Sequence, residues 1–385
     1  MAGFPFMRQA EAFRSSLPFI LLLAVFILPC PMSAAAKPRP AIAFVHLLLP
    51  PGGEPHASPA GWIGSLDRAR DTLESLRIPT IVSSASPGNA EDLNELSEMD
   101  PEVLITTSPL LYAAACDVAK RSPNTVFFAC TDETVHDNMS GFQAHTYDAH
   151  YLAGLIAGAL SEDGVIGYLA NDPYQSKASR LRNANAFTLG AQKSKAAIRV
   201  LYAPGNDPDE ELKTLIAAGA DIVDLERALP SLVERLREHS VHYVGTAGRT
   251  VDPLCLAAPE WEWSNAFGDL LTQVRFGIWR PRNVSYGIKE GVVGLSPFGP
   301  AVPETVRVRV REAKEAIRNG ASPFEGPVRD VSGSLRIAEG SVPDDATLRG
   351  MDWRVQGLEP LPLTPEDRKS TRLNSSHLGI SYAVF

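Results

Sequence analysis

The stretch AIAFVHLLL (Ala41–Leu49), followed after a loop by GWIGSLDRARDTLESLR (Gly61–Arg77), decides how this chain is read. The first is a short, apolar, strand-forming run. In the second, Trp62, Leu66, Ala69, Leu73 and Leu76 recur at three- and four-residue spacing, which gathers them on one helical face. A strand followed by a helix is the expectation. Working outward, Pro79–Ser83, Val103–Thr106 and Val126–Ala129 read as further strands, with helices at Ala90–Glu98 and Leu110–Lys120. Such alternation produces a parallel sheet covered by helices on both faces.

A second set begins after Gly141, with a helix at Tyr151–Leu160 and strands at Val165–Ala170, Val200–Ala203, Ile222–Leu225 and Tyr243–Thr246. Helices at Arg180–Gln192, Asp209–Ala218 and Leu229–His239 separate them. The chain therefore reads as two α/β lobes, residues 37–143 and 144–260. Residues 261–366 return to complete both lobes, through a helix running to Trp279, a strand-like stretch Tyr286–Leu295 and a helix Pro303–Asn319. No Pro/Gly/Ser linker divides the lobes, and multiple crossings between them restrict relative motion to a hinge. A ligand then belongs between the lobes, where loops at the carboxyl ends of the strands converge.

A length of 385 residues agrees with two cores of about 150 residues each. With 45 acidic against 36 basic side chains the formal charge is −9, which argues against a nucleic-acid partner. Leu17–Pro29 (LPFILLLAVFILP) is an apolar run of 13 residues, short of the roughly 20 that cross a bilayer, and it follows Arg8 and Arg14. Ser33–Ala36 supplies small residues for cleavage, so residues 1–36 are expected to be a signal peptide and the mature chain a periplasmic protein. Lipid attachment at Cys30 competes with this, but Pro29 stands where such sites carry a small residue. Export leaves Cys116, Cys130 and Cys255, an odd number that allows one disulfide at most.

No phosphate loop, dinucleotide fingerprint, zinc-protease motif or nucleophile elbow is present, and the eight histidines are dispersed. No catalytic residue, metal site or cofactor is expected, and the chain reads as a binder rather than an enzyme. Cleft candidates come from strand ends: Thr106-Thr107-Ser108 after one strand and Thr131-Asp132 after another. A carboxylate there can accept two sugar hydroxyls, and hydroxyls and amides can meet smaller polar groups. The competing roles are helix N-capping for the Thr-Thr-Ser run and a turn for Asp132. Trp62 and Trp261 are candidates for stacking on a flat ligand, whereas Trp263 is expected in the core.

Tyr151-Leu152-Ala153-Gly154, the run Asn185–Gln192 (NAFTLGAQ) and the C-terminal PFEGPVRDVSGSLRIAEG and MDWRVQG, within Pro323–Gly357, resemble the basic membrane protein (BMP) family of ABC-importer substrate-binding components. That family includes purine-nucleoside-binding lipoproteins. The resemblance extends over roughly residues 41–358 and implies the two-lobed type I periplasmic-binding fold, a membrane permease as partner and a small-molecule ligand. A monomer is expected. It implies that Trp62 lines the cleft, that Thr107 and Ser108 lie in a ligand-facing loop and that Asp132 meets a ribose. Two positions depart from the family pattern: Gly205-Asn206 stands where a Trp often precedes Asp-Pro, and Thr246-Ala247-Gly248-Arg249 replaces an aspartate loop. Thr246 and Arg249 are therefore cleft candidates of altered charge, with a purine nucleoside one possible solute.

The alternative function is a periplasmic sensory protein that presents its closed form to a membrane receptor. An enzyme of the nucleoside-hydrolase kind would need an aspartate cluster for its metal, which the sequence lacks. The terminal segment from Asp367 to Phe385 resembles translated sequencing-adapter read-through and is set apart from the functional reading.

Overall fold

The computed structural model of the chain describes residues 39–48, 61–86, 88–131, 133, 136–172, 175–245 and 252–362. The expected signal peptide, the read-through segment, Asp132, Thr246 and Arg249 lie outside the described residues.

The first lobe is built from β1 (Ile42–Leu47), α1 (Gly61–Ser75), β2 (Thr80–Ala85), α2 (Glu91–Ser97), β3 (Val103–Thr106), α3 (Tyr112–Ala119), β4 (Val126–Cys130) and β5 (Met139–Ala144). The chain crosses into α4 (Thr146–Leu160) and builds β6 (Val165–Leu169), α5 (Lys177–Ser194), β7 (Arg199–Ala203), α6 (Pro208–Ala217), β8 (Ile222–Leu225), α7 (Pro230–Glu238), β9 (His242–Gly245) and β10 (Cys255–Ala257). It then returns through β11 (Pro259–Trp261), α8 (Ser264–Arg275), β12 (Asn283–Tyr286), β13 (Val293–Leu295) and α9 (Glu304–Arg318). The last elements are β14 (Val328–Arg329), β15 (Leu335–Ile337), α10 (Asp345–Arg349) and β16 (Leu358–Pro360).

Two six-stranded sheets result, in the orders β12-β5-β4-β3-β1-β2 and β10-β9-β8-β6-β7-β16, and every pairing within them is parallel. Each sheet reverses its winding once, between β1 and β3 in one lobe and between β6 and β8 in the other. Those reversals are where loops diverge and leave a crevice. The returning segments deliver β12 to the first sheet and β16 to the second, while β11 and β13 pair antiparallel as a two-stranded ribbon where the chain passes between lobes.

The helical face of α1 is as expected for Leu66, Ala69 and Leu73, all fully buried, but Leu76 is 67% exposed. The helix ends at Ser75, and Arg77 takes φ 63°, so the chain has already turned away. β5 has no counterpart in the sequence reading, because MSGFQA carries only two large apolar residues. Its Gly141 is required: a Cβ there would lie 2.8 Å from the carbonyl oxygen of Thr131, just past the end of the neighbouring strand β4. The stretch Tyr286–Leu295 splits into β12 and β13, which belong to different sheets. α4 is buried on nearly every side and packs closely on α5.

The family-like runs meet in space. Asn185 on α5 donates from Nδ2 to the Trp353 carbonyl (2.8 Å) and accepts from the Val355 amide (2.9 Å), joining the NAFTLGAQ run to MDWRVQG. Asp330 accepts from the Arg336 guanidinium at 2.6 Å, closing the β14–β15 hairpin. Cys116, Cys130 and Cys255 carry free thiols.

Candidate functional site

The carboxyl end of β3 and the amino end of α1 fix the first wall of the cleft. Trp62 donates from its indole N–H to the Thr107 carbonyl oxygen at 2.8 Å. Its ring meets Trp261 and Trp263 edge-on at 5.9 and 5.3 Å and lies nearly parallel to Phe142. These contacts lock a half-buried indole in one orientation. Thr107 and Ser108 are themselves fully buried. The Thr107 hydroxyl donates to the Val45 carbonyl and sits 3.2 Å from His46 Nδ1, while Ser108 Oγ accepts from the Leu110 amide and caps the short 3-10 turn Pro109–Leu111. Both side chains therefore shape the loop that holds Trp62.

Trp261 sits on the ribbon between lobes, only 6% exposed. Its carbonyl accepts from Arg68 Nη2 at 3.4 Å, yet its indole N–H has no acceptor among the described residues. A buried donor left unpaired costs about 1–3 kcal/mol, and the Trp263 indole N–H also has no acceptor among the described residues. Trp263 is fully buried and stacked on Phe267 at 5.5 Å, a core position.

The second wall comes from the winding reversal of the other sheet, and its residues were not among the sequence candidates. Asp172 follows β6 and accepts from Gln175 Nε2 at 3.0 Å. Its amide faces Glu226 Oε2 at 3.4 Å, and Glu226 Oε1 accepts from the Tyr168 hydroxyl at 2.8 Å. Burial pushes the Glu226 carboxyl up to about 8, so it holds a proton at neutral pH. Asn171 clamps the loop after β8 by a reciprocal pair of bonds with the Arg227 backbone, at 2.8 and 2.9 Å. Asp172 and Glu226 stand just past two strands that are plain in the sequence, Val165–Ala170 and Ile222–Leu225. The strand-end rule that selected Thr107 and Asp132 reaches them too when applied to the second lobe.

Between the walls lies a cavity of about 120 Å³, bordered by Trp62, Trp261, Asp172, Gln175 and Arg182. A second cavity of about 750 Å³ runs along the β11–β13 ribbon and also touches Trp261. Aromatic groups thus face acidic and amide groups across the interlobe space. Asp132, Thr246 and Arg249 lie outside the described residues.

Two parallel sheets joined by a crossing ribbon, with a polar and aromatic cavity between them, define a two-lobed solute-binding protein. Residues 66–217 match the Bmp family model, described as ABC transporter substrate-binding protein PnrA-like, and this match supports a solute-binding role for the chain. A purine-binding protein of Brucella abortus is 27% identical over 344 residues, covering 85% of this chain and 95% of the relative. A putative ABC transporter glucose-binding protein of Haloferax volcanii is 27% identical over 307 residues, covering 74% and 78%. In fold, an ABC transporter solute-binding protein from Conexibacter woesei superposes with a TM-score of 0.57 at 17% identity, covering 73% of this chain and 97% of that one.

Proposed function

We propose that the protein is a monomeric periplasmic binder that closes its lobes on a purine nucleoside or a close relative and, once closed, docks on its permease without chemical conversion of the solute. The observation that carries this reading is the buried indole N–H of Trp261, which has no acceptor among the described residues, beside the locked ring of Trp62. A flat heteroaromatic solute offers both a face for the indoles and an acceptor for that N–H. Asp172 and Gln175 opposite would take its hydroxyl or amino groups, with Asp132, Thr246 and Arg249 as further proposed ligand contacts. The purine-binding Brucella relative supports the purine class; the glucose-binding relative makes a sugar the competing solute.

Calorimetry and thermal shift on the exported protein, with guanosine, inosine, adenosine, hypoxanthine and glucose, test this. Saturable nucleoside binding with stabilisation of about 2.7 kcal/mol at a hundredfold excess over Kd is expected. Binding of glucose alone, or of none of these solutes, would sink the nucleoside reading. Trp261→Phe keeps an aromatic ring and deletes the N–H. Nucleoside affinity should fall about tenfold while the stability of the unliganded protein stays level or rises, since an unsatisfied donor has been removed. Equal losses in both would make Trp261 a packing residue only.

A further inference from the structure

The segment RFGIWRPR (Arg275–Arg282) follows α8 and plays no role in the cleft. α1 and α8 lie side by side and run in the same direction. They start at Trp62 and Trp263, whose rings are 5.3 Å apart, and extend 15 and 12 residues, roughly 22 and 18 Å, away from the interlobe space. The chain past each end is apolar and open to solvent: Leu76 is 67% exposed, Phe276 76% and Ile278 63%. Gly277, at φ 66°, ends α8 by donating to the Val274 carbonyl, and Trp279 is half-buried against the core, so Phe276 and Ile278 stand on an anchored turn. The amino ends of β1 and β3 reach the same pole, where the Ala41 amide bonds the Pro79 carbonyl at 2.8 Å.

Charge is distributed unevenly there. Asp100 pairs with Arg39 at 3.3 Å, and Glu102 with Arg275 at 2.7 Å. Arg77, Arg280 and Arg282 are exposed and, among the described residues, pair with no carboxylate. Arg280 instead donates to the Gly277 and Trp279 carbonyls, and Arg282 to Gln273, which holds both guanidiniums beside the apolar side chains. In a chain of net charge −9 this pole is a local basic patch with an apolar centre.

We propose that this pole of the first lobe binds the anionic phospholipid surface of the membrane. Exposed Phe, Ile and Leu rimmed by arginines is the composition of an interfacial segment, in which apolar side chains enter the headgroup boundary and guanidiniums meet phosphates. A partner that reads lobe closure must touch both lobes near the cleft. This patch belongs to one lobe, at its far end, and so serves retention near the bilayer rather than recognition of the closed form.

Cosedimentation of the exported protein with phosphatidylglycerol-rich and with pure phosphatidylcholine vesicles provides the test, with analytical ultracentrifugation beside it. Binding to the anionic vesicles only, weakening as salt rises, is expected. Both Phe276→Ser/Ile278→Ser and Arg280→Ser/Arg282→Ser should weaken it about tenfold while leaving Tm and solute binding unchanged. The proposal is overturned by absence of binding, by equal binding to both vesicle types, or by persistence of binding in both double variants. It is also overturned if the apolar pair instead controls a monomer–dimer equilibrium, which would make the patch a contact between copies.

Discussion

Replacing Gly154 by leucine should cost at least about 4 kcal/mol of folding stability and leave little folded protein at ordinary temperature. A Cβ at Gly154 would lie 2.0 Å from the Phe187 carbonyl oxygen and 3.0 Å from the Ala191 amide. The same interface repeats the arrangement twice: a Cβ at Gly158 would sit 2.2 Å from the Ala191 carbonyl oxygen, and one at Gly190 2.1 Å from that of Tyr151. α4 and α5 thus touch backbone to backbone, and backbone atoms cannot rotate aside as a side chain can. Ordinary overpacking costs about 1–3 kcal/mol; a branched four-carbon side chain here must push a pair of buried helices apart, which opens cavities along their length as well. Gly268 on α8 is the control, because nothing lies within 4 Å of its added Cβ. Gly268→Ala should be neutral or gain up to about 1 kcal/mol from helix propensity. Urea unfolding followed by circular dichroism reads both. A loss below about 1 kcal/mol for Gly154→Leu would mean that the two helices are not in this contact.

That glycine interface was within reach of the sequence only as a resemblance. Tyr151-Leu152-Ala153-Gly154 and NAFTLGAQ stand out as motifs, but periodicity alone does not say that two helices about 30 residues apart share their small faces. The parallel strands were legible, since strands buried on both sides are continuous apolar runs: Val103–Thr106 and Ile222–Leu225 were read to the residue. β5 was not, because Ser140, Gly141 and Gln143 break its run, and the reason for Gly141 lies just past the end of the adjacent strand.

The site divides in a similar way. Trp62 and Trp261 could be nominated because an indole beside a predicted loop is conspicuous. Thr107 and Ser108 were nominated by position, and the structure turns both hydroxyls toward the protein, where they support Trp62 instead of the cavity. Asp172 and Glu226 are unremarkable in composition. They gain meaning only from the strand order, which puts β6 beside β8 and so brings two separate loops to one crevice. Strand order is a long-range property that no local pattern encodes.

Stability should be greatest near pH 5 and decline by a few kcal/mol toward pH 8, with Glu226 the principal cause. Its ordinary value is 4.5, and burial raises it to about 8 in the folded protein. Between those values the folded state keeps a proton that the unfolded chain has released, so each step up in pH favours unfolding. Two other buried groups act in the same sense. Asp148 is raised to about 6 by burial. Burial alone would lower His150, but Asp224, 3.0 Å away, outweighs it and raises the imidazole, whose contribution is present below its ordinary 6.5 and lost as pH climbs. The acid side is set by carboxylates held low. Asp330, bonded to Ser332 and Arg336, and Asp345, bonded to His145, both titrate at about 2, so their contribution is present above the ordinary 3.8 and disappears on further acidification. Urea unfolding at pH 5, 6.5 and 8 measures the decline. Glu226→Gln places a permanently neutral group in the same pocket, where its carbonyl can still accept from the Tyr168 hydroxyl. The variant should lose on the order of 2 to 3 kcal/mol of the pH 5 to pH 8 difference and be more stable than the parent protein at pH 8. A parent protein more stable at pH 8 than at pH 5, or a variant with an unchanged slope, would show that this carboxyl does not retain its proton in the folded state.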